Sequence, residues 1–99
     1  MNEHDILSLI NRRERQILVH SYIYYKRNLN IIPDSLWSKW AFELASLIER
    51  YPVIFQKSDY SWAFEDFDPS SGYYLERVFM RPEIISKGEY LLRICRVGG

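Results

Sequence analysis

Five side chains between positions 20 and 37 have the chemistry of a small binding site: His20, Tyr24, Tyr25, Asp34 and Trp37. His20 and Tyr24 are four residues apart, so on a helix they stack along one surface. Asp34 and Trp37 lie just past a break in the pattern, where a second helix starts. If the two helices double back, Tyr24, Tyr25 and Trp37 form an aromatic floor for a planar ring, with His20 and Asp34 at its polar edges. The same residues also suit a closed core, in which Trp37 and Tyr24 pack together and His20 donates to a carbonyl. Buried Tyr and His need such partners whether or not they bind anything.

Other chemistry is thinly represented. Asp59, Glu65, Asp66 and Asp68 make the stretch from Ser58 to Leu75 acidic, with no Lys or Arg among them. Asp66-Phe67-Asp68-Pro69-Ser70 lacks the length and closing glutamate of a calcium loop, so these carboxylates are read as caps and solubilising groups. Glu65 and Asp68 could pair as acids, but nothing marks a substrate for them. There is no serine elbow and no glycine-rich phosphate loop. Cys95 falls in an apolar periodic run and reads as a small buried hydrophobe. It is the only cysteine, which excludes an intrachain disulfide and a four-cysteine zinc site. No catalytic residue and no metal ligand is predicted.

The elements that must position these residues are helical. Ile6, Ile10, Arg13, Ile17, His20 and Tyr24 alternate steps of four and three, predicting a helix over 4–27. Leu9, Leu18 and Tyr25 widen its apolar face, and Arg13 and His20 are polar exceptions within it. Pro33 disfavours helical geometry at Ile32 and closes the break begun at Asn28. Asp34 or Ser35 can cap a second helix. Trp37, Trp40, Ala41, Leu44, Leu47, Ile48 and Tyr51 form its apolar side, and Pro52 stops it. The expected unit is an antiparallel helical hairpin over 4–52.

Residues 53–80 read as an acidic aromatic loop with a short helix. Trp62, Ala63, Phe64 and Phe67 form a helical turn packed on the hairpin. Asp68-Pro69-Ser70-Ser71-Gly72 is a turn, and a short helix runs from Tyr73 to about Phe79. A last helix over 81–96 begins with Pro82 at its first position and Glu83 where amide dipoles favour negative charge. Ile84 or Ile85, Gly88, Leu91 or Leu92, and Cys95 continue one face. Gly88 is tolerated there if it admits the close approach of another backbone. The fold class is all-α: a long helical hairpin packed against shorter C-terminal helices, one helical domain over 1–99.

Composition agrees with a packed chain. Of 99 residues 47% are apolar and 16% aromatic, with four glycines and four prolines, against the pattern of disorder. Thirteen basic and thirteen acidic residues cancel, so no global field draws nucleic acid or anionic lipid. Eight Tyr, five Phe and three Trp favour a protein partner or self-association. Arg12, Arg13, Arg15, Lys26 and Arg27 make the first helix basic, and Arg77, Arg81, Lys87, Arg93 and Arg96 do the same for the C-terminal region. A nucleic-acid partner requires those two sets to merge in space. No apolar run approaches the roughly 20 residues of a membrane-spanning helix. The first residues lack the basic-then-apolar order of a secretory signal, so the expected location is cytoplasmic.

His20-Ser21-Tyr22-Ile23-Tyr24-Tyr25, followed by Ile32-Pro33-Asp34 and Trp37, resembles the small N-terminal helical domain of bacterial NAD-dependent DNA ligases. In that family His-x-Tyr-x-Tyr-Tyr ends a helix and leads through a short loop to Ile-x-Asp and a second helix. The domain there binds the nicotinamide mononucleotide half of NAD. By position, Tyr24 and Tyr25 match the aromatic pair and Asp34 the loop aspartate. Trp37 stands where the family has tyrosine, and Ser38 where it has an aspartate that contacts the ligand. The resemblance covers roughly residues 7 to 52. The chain has no Lys-x-Asp-Gly nucleotidyl-transfer motif, so it is not expected to be a ligase by itself. The resemblance implies a stand-alone bacterial or phage relative of the accessory domain. The leading expectation is a non-catalytic binding domain without a cofactor, in bacterial or phage DNA metabolism. The alternative is a binder of nicotinamide mononucleotide or NAD at the hairpin tip.

Overall fold

The computed structural model describes residues 2–97. Among the described residues the fold is all helical: α1 (Glu3–Arg27), α2 (Asp34–Arg50), α3 (Pro52–Phe55), α4 (Ser61–Phe64), a 3₁₀ turn (Tyr73–Leu75), α5 (Glu76–Phe79) and α6 (Pro82–Val97). None of these helices is long and apolar enough to cross a membrane.

The start of α1 is capped by Asn2, whose side-chain oxygen accepts the Asp5 backbone N–H at 2.9 Å. Its end is set by Asn28, which takes the left-handed conformation (φ 53°) and donates its N–H back to the Ile23 carbonyl. Asparagine tolerates that geometry better than a β-branched residue would. The chain then doubles back. Arg13 on α1 meets Glu43 on α2 at 3.4 Å, and the His20 and Trp40 rings lie 5.5 Å apart. The N-cap of α2 is Pro33, and no side chain caps it. Asp34 is therefore the first residue inside the helix, where its charge still faces the amide dipoles. Its carboxylate accepts from the Asn30 side chain at 3.2 Å.

Pro52 both ends α2 and occupies the first position of α3, a short helix absent from the sequence-based expectation. A proline that cannot continue one helix is pre-set to begin the next. Every helix contributes to one apolar cluster, with α1 at its centre. Residues 17–19 and 21–23 of α1 are all buried, because α2, α5 and α6 surround that half of the helix.

The stripe on α1 is displaced from its expected position. Ile6, Ile10 and Ile17 are buried as anticipated, but the fully buried polar residues are Glu14 and Ser21. Arg13 and His20 lie at the edge, and Tyr24 is 51% exposed. Steps of three and of four residues both return to the same broad helix face, so spacing alone does not decide which of two adjacent positions lies deepest.

Glu14 fastens the segment after α3. Its carboxylate accepts the Ser58 hydroxyl at 2.7 Å and the Tyr60 N–H at 3.1 Å. Asn11 accepts the Asp59 N–H at 2.8 Å, and Arg15 pairs with Asp59 at 2.7 Å. Three residues of one helix face thus grip three consecutive residues. Burial pushes the Glu14 carboxyl up to about 7, and the Asp59 charge adds to that effect. Hydrogen bonds from Ser58 and Tyr60 and the Arg15 charge act in the opposite direction.

Ile84, Gly88 and Leu92 are the buried line of α6. Gly88 admits a side chain rather than a backbone: a Cβ there would stand 2.6 Å from the Tyr22 ring. That ring is held in place by its hydroxyl, which donates to Glu89 at 2.7 Å. Cys95 is exposed, contrary to the expected buried site. The α1 helix ends at Arg27, which pairs with Glu89, so the last turn of α6 runs beyond the helix it packs on. Trp62 is 56% exposed and lies under the Arg81 guanidinium instead of packing on the hairpin; Phe64 fills the core in its place.

Candidate functional site

The turn between α1 and α2 leaves an open pocket of about 220 Å³ at the hairpin tip. His20, Tyr24, Tyr25, Asp34 and Trp37 all line it. Two helices supply them because Asn28 reverses the chain where it does, bringing the end of α1 beside the start of α2. Ser38, which follows Trp37 on α2, also lines the pocket.

A third wall comes from far along the chain. Ser70, Ser71 and Gly72 also line the pocket, and Gly72 lies against Ser21 and Trp37. Their turn is fixed by Asp68, whose carboxylate accepts the Ser70 N–H at 2.9 Å and its hydroxyl at 2.6 Å. These two bonds hold the Asp68 carboxyl below the usual range. The Asp68 N–H donates to the Tyr74 hydroxyl at 2.6 Å, tying the turn to the helical segment that follows. At Gly72 a Cβ would stand 2.5 Å from the Ser21 hydroxyl oxygen and 3.1 Å from the Trp37 ring. A side chain here would press directly on the pocket wall.

The aromatic arrangement has depth. Tyr25 lies parallel to Phe79 with ring centroids 5.9 Å apart. Tyr24 and Tyr73 meet Tyr25 edge-on, at 4.9 and 5.3 Å. Phe79 is fully buried and does not line the pocket, so it backs Tyr25 from inside. Tyr24, which lines the pocket, and Tyr73, which does not, are both exposed.

Polar atoms at the pocket are the sharper feature. The Ser21 hydroxyl oxygen and His20 Nδ1 are buried and have no hydrogen-bond partner within the protein. Buried polar atoms are ordinarily paired, with protein or water. Burial lowers the His20 pKa, which keeps the imidazole neutral near pH 7. Asp34 is then the one ionic side chain among the pocket's lining residues.

The first half of α1 and the C-terminal region do bring basic residues together, in part. Arg12, Arg15 and Lys87 line a second cleft, between α1 and α6. Arg13 turns the other way toward Glu43, as expected for adjacent helical positions about 100° apart. Lys26 pairs with Glu76, Arg27 with Glu89 and Arg81 with Glu83. The Arg96 side chain and Gly98-Gly99 lie outside the described residues. Among the described residues no three His, Cys, Asp or Glu side chains gather as a metal site would require.

No family model, curated protein or solved structure matches this chain. The site is accordingly read from its own geometry. Sequence reasoning missed Ser21 and the Ser70–Gly72 wall. Ser21 stands one position after His20, on the displaced buried line of α1. The third wall depends on contacts about 50 residues apart, for which local spacing carries no signal.

Proposed function

We propose that this chain is a non-catalytic binding domain whose hairpin tip receives the nicotinamide ring of a mononucleotide or dinucleotide. The reading is carried by one observation: two residues that line an open pocket walled by aromatic rings, His20 and Ser21, each carry a buried polar atom without a partner in the protein. A carboxamide has one acceptor and two donors. Its carbonyl accepts from the Ser21 hydroxyl, and its amide donates to His20 Nδ1 in the tautomer protonated on Nε2. The oxidised ring carries positive charge, which suits the aromatic faces of Tyr24, Tyr25 and Trp37 and the Asp34 carboxylate. A pocket of about 220 Å³ falls below the roughly 300–1,000 Å³ of sites that enclose a drug-sized ligand. It takes the ring and leaves the sugar at the rim.

The resemblance of the hairpin to the ligase accessory domain points to the same ligand class. Exposed Tyr24, Tyr73 and Tyr74 favour the broader form of this reading, an accessory domain in bacterial or phage DNA metabolism that also meets a macromolecular partner.

Calorimetric titration with 1-methylnicotinamide, which carries the cationic ring and carboxamide without a phosphate, tests the ring site. Saturable binding is expected, weakened roughly tenfold by Asp34→Asn and by Tyr24→Ala. Wild-type affinity in both variants, or no heat at millimolar ligand, contradicts the proposal.

A further inference from the structure

The cleft between α1 and α6 is larger than the hairpin-tip pocket, about 690 Å³, and differs from it in charge. On α1 it runs from Ser8 to His20, about 18 Å at the rise of an α-helix. Its floor is apolar, formed by Val19, Ile84 and Leu91, and three cations line it: Arg12 and Arg15 from α1 and Lys87 from α6. Arg12 and Arg15 are three apart and therefore neighbours on one face, an arrangement of like charges that is unfavourable unless something neutralises it.

The protein neutralises only part of this charge. Arg15 is paired with Asp59. Glu83, the one carboxylate lining the cleft, is already engaged by the Arg81 guanidinium at 2.8 Å and by the Tyr60 hydroxyl at 3.1 Å. Arg12 and Lys87 make no ion pair among the described residues; Lys87 lies 5.3 Å from the centre of the Tyr90 ring. Asn11 and Gln16 also line the cleft, but each has its side-chain oxygen accepting a bond, from Asp59 N–H and from Arg13. Two cations from two helices thus remain uncompensated over an apolar floor.

We propose that this cleft binds a compact organic phosphate of nucleotide size, with its phosphoryl oxygens held by Arg12 and Lys87 and its apolar body over Val19, Ile84 and Leu91. The volume falls within the range of sites that enclose a small ligand. A nucleic-acid strand fits less well. The chain's charges sum to zero, and Asp59 and Glu83 would oppose a continuous phosphate backbone. Tyr60, the one Phe, Tyr or Trp lining the cleft, is only 8% exposed, so it offers no open face for base stacking.

The test uses the whole chain, with ATP and inorganic pyrophosphate as probes and an oligo-dT series as the competing class. Both small phosphates bind saturably, and Arg12→Gln and Lys87→Gln each weaken them by roughly tenfold. Both positions are exposed, so thermal melts should match wild type and separate lost binding from lost folding. Asp34→Asn leaves this affinity unchanged, which keeps it separate from the ring site. Absence of binding at millimolar ATP and pyrophosphate overturns the proposal. So does binding that neither substitution alters, and so does oligo-dT binding that grows with length while ATP fails to bind.

Discussion

Phe79→Ala lowers the unfolding free energy by about 3–5 kcal/mol, the usual range for emptying a fully buried phenylalanine site. Phe79 is fully buried in the cluster that α1 centres, and its neighbours belong to several helices that cannot all move inward. For a domain whose total stability is about 5–15 kcal/mol, this is a large fraction. Urea unfolding followed by far-UV circular dichroism measures it, and a loss below about 1 kcal/mol would contradict the packing described. The substitution also removes the parallel ring behind Tyr25. Phe79→Leu, which keeps most of the volume, should preserve the fold and still weaken 1-methylnicotinamide, although Phe79 lies outside the pocket.

Wild-type protein gains stability as the solution is acidified from pH 8 to pH 4, relative to Glu14→Gln, by about 3 kcal/mol. The sign follows from the direction of the shift. In the folded chain the Glu14 carboxyl titrates at about 7, against an ordinary value of 4.5. Between those values the folded state holds the proton and the unfolded state has released it. The contribution is therefore complete below about 4.5 and is lost as pH rises through about 7. Carboxylates whose values are depressed, such as Glu83 and Glu89, give the opposite slope. Comparing the two proteins at each pH cancels their effect. A difference that stays flat from pH 4 to pH 8 would show that Glu14 is not the buried acid described here.

Helices with strong punctuation were legible from residue types alone. Pro33, Pro52 and Pro82 each constrain the backbone in a way that needs no tertiary information, and the boundaries of α2 and α6 follow from them. The short α3 escaped because Pro52 was read only as a stop, although the same fixed φ also starts a helix. Glu14 escaped for a different reason. It sits in Arg12-Arg13-Glu14-Arg15, a run whose composition suggests a solvated face. The overlooked signal was its place four residues after Ile10 and three before Ile17. Cys95 continues the spacing of Ile84, Gly88 and Leu92, but periodicity cannot report where the neighbouring helix ends.

The candidate site divides along the same line. The five residues His20, Tyr24, Tyr25, Asp34 and Trp37 lie within 18 positions of one another, and one chain reversal brings them together. Local spacing suffices for that. The Ser70–Gly72 wall and the Phe79 support behind Tyr25 depend on the path of the chain through α3, α4 and the turn after Asp68. Those contacts belong to tertiary packing. The polar atoms that most sharpen the site, on Ser21 and His20, become informative only once the structure leaves them unpartnered.

An amide-resolved NMR titration with 1-methylnicotinamide tests the ring-binding claim most directly, because it reports where the molecule sits. Saturable shifts are predicted at residues 20–25, 34–38 and 70–72 together, with Asn11 and Lys87 in the other cleft unmoved. Shifts at Asn11 and Lys87 without movement at the hairpin tip, or a spectrum unchanged at millimolar ligand, would contradict it.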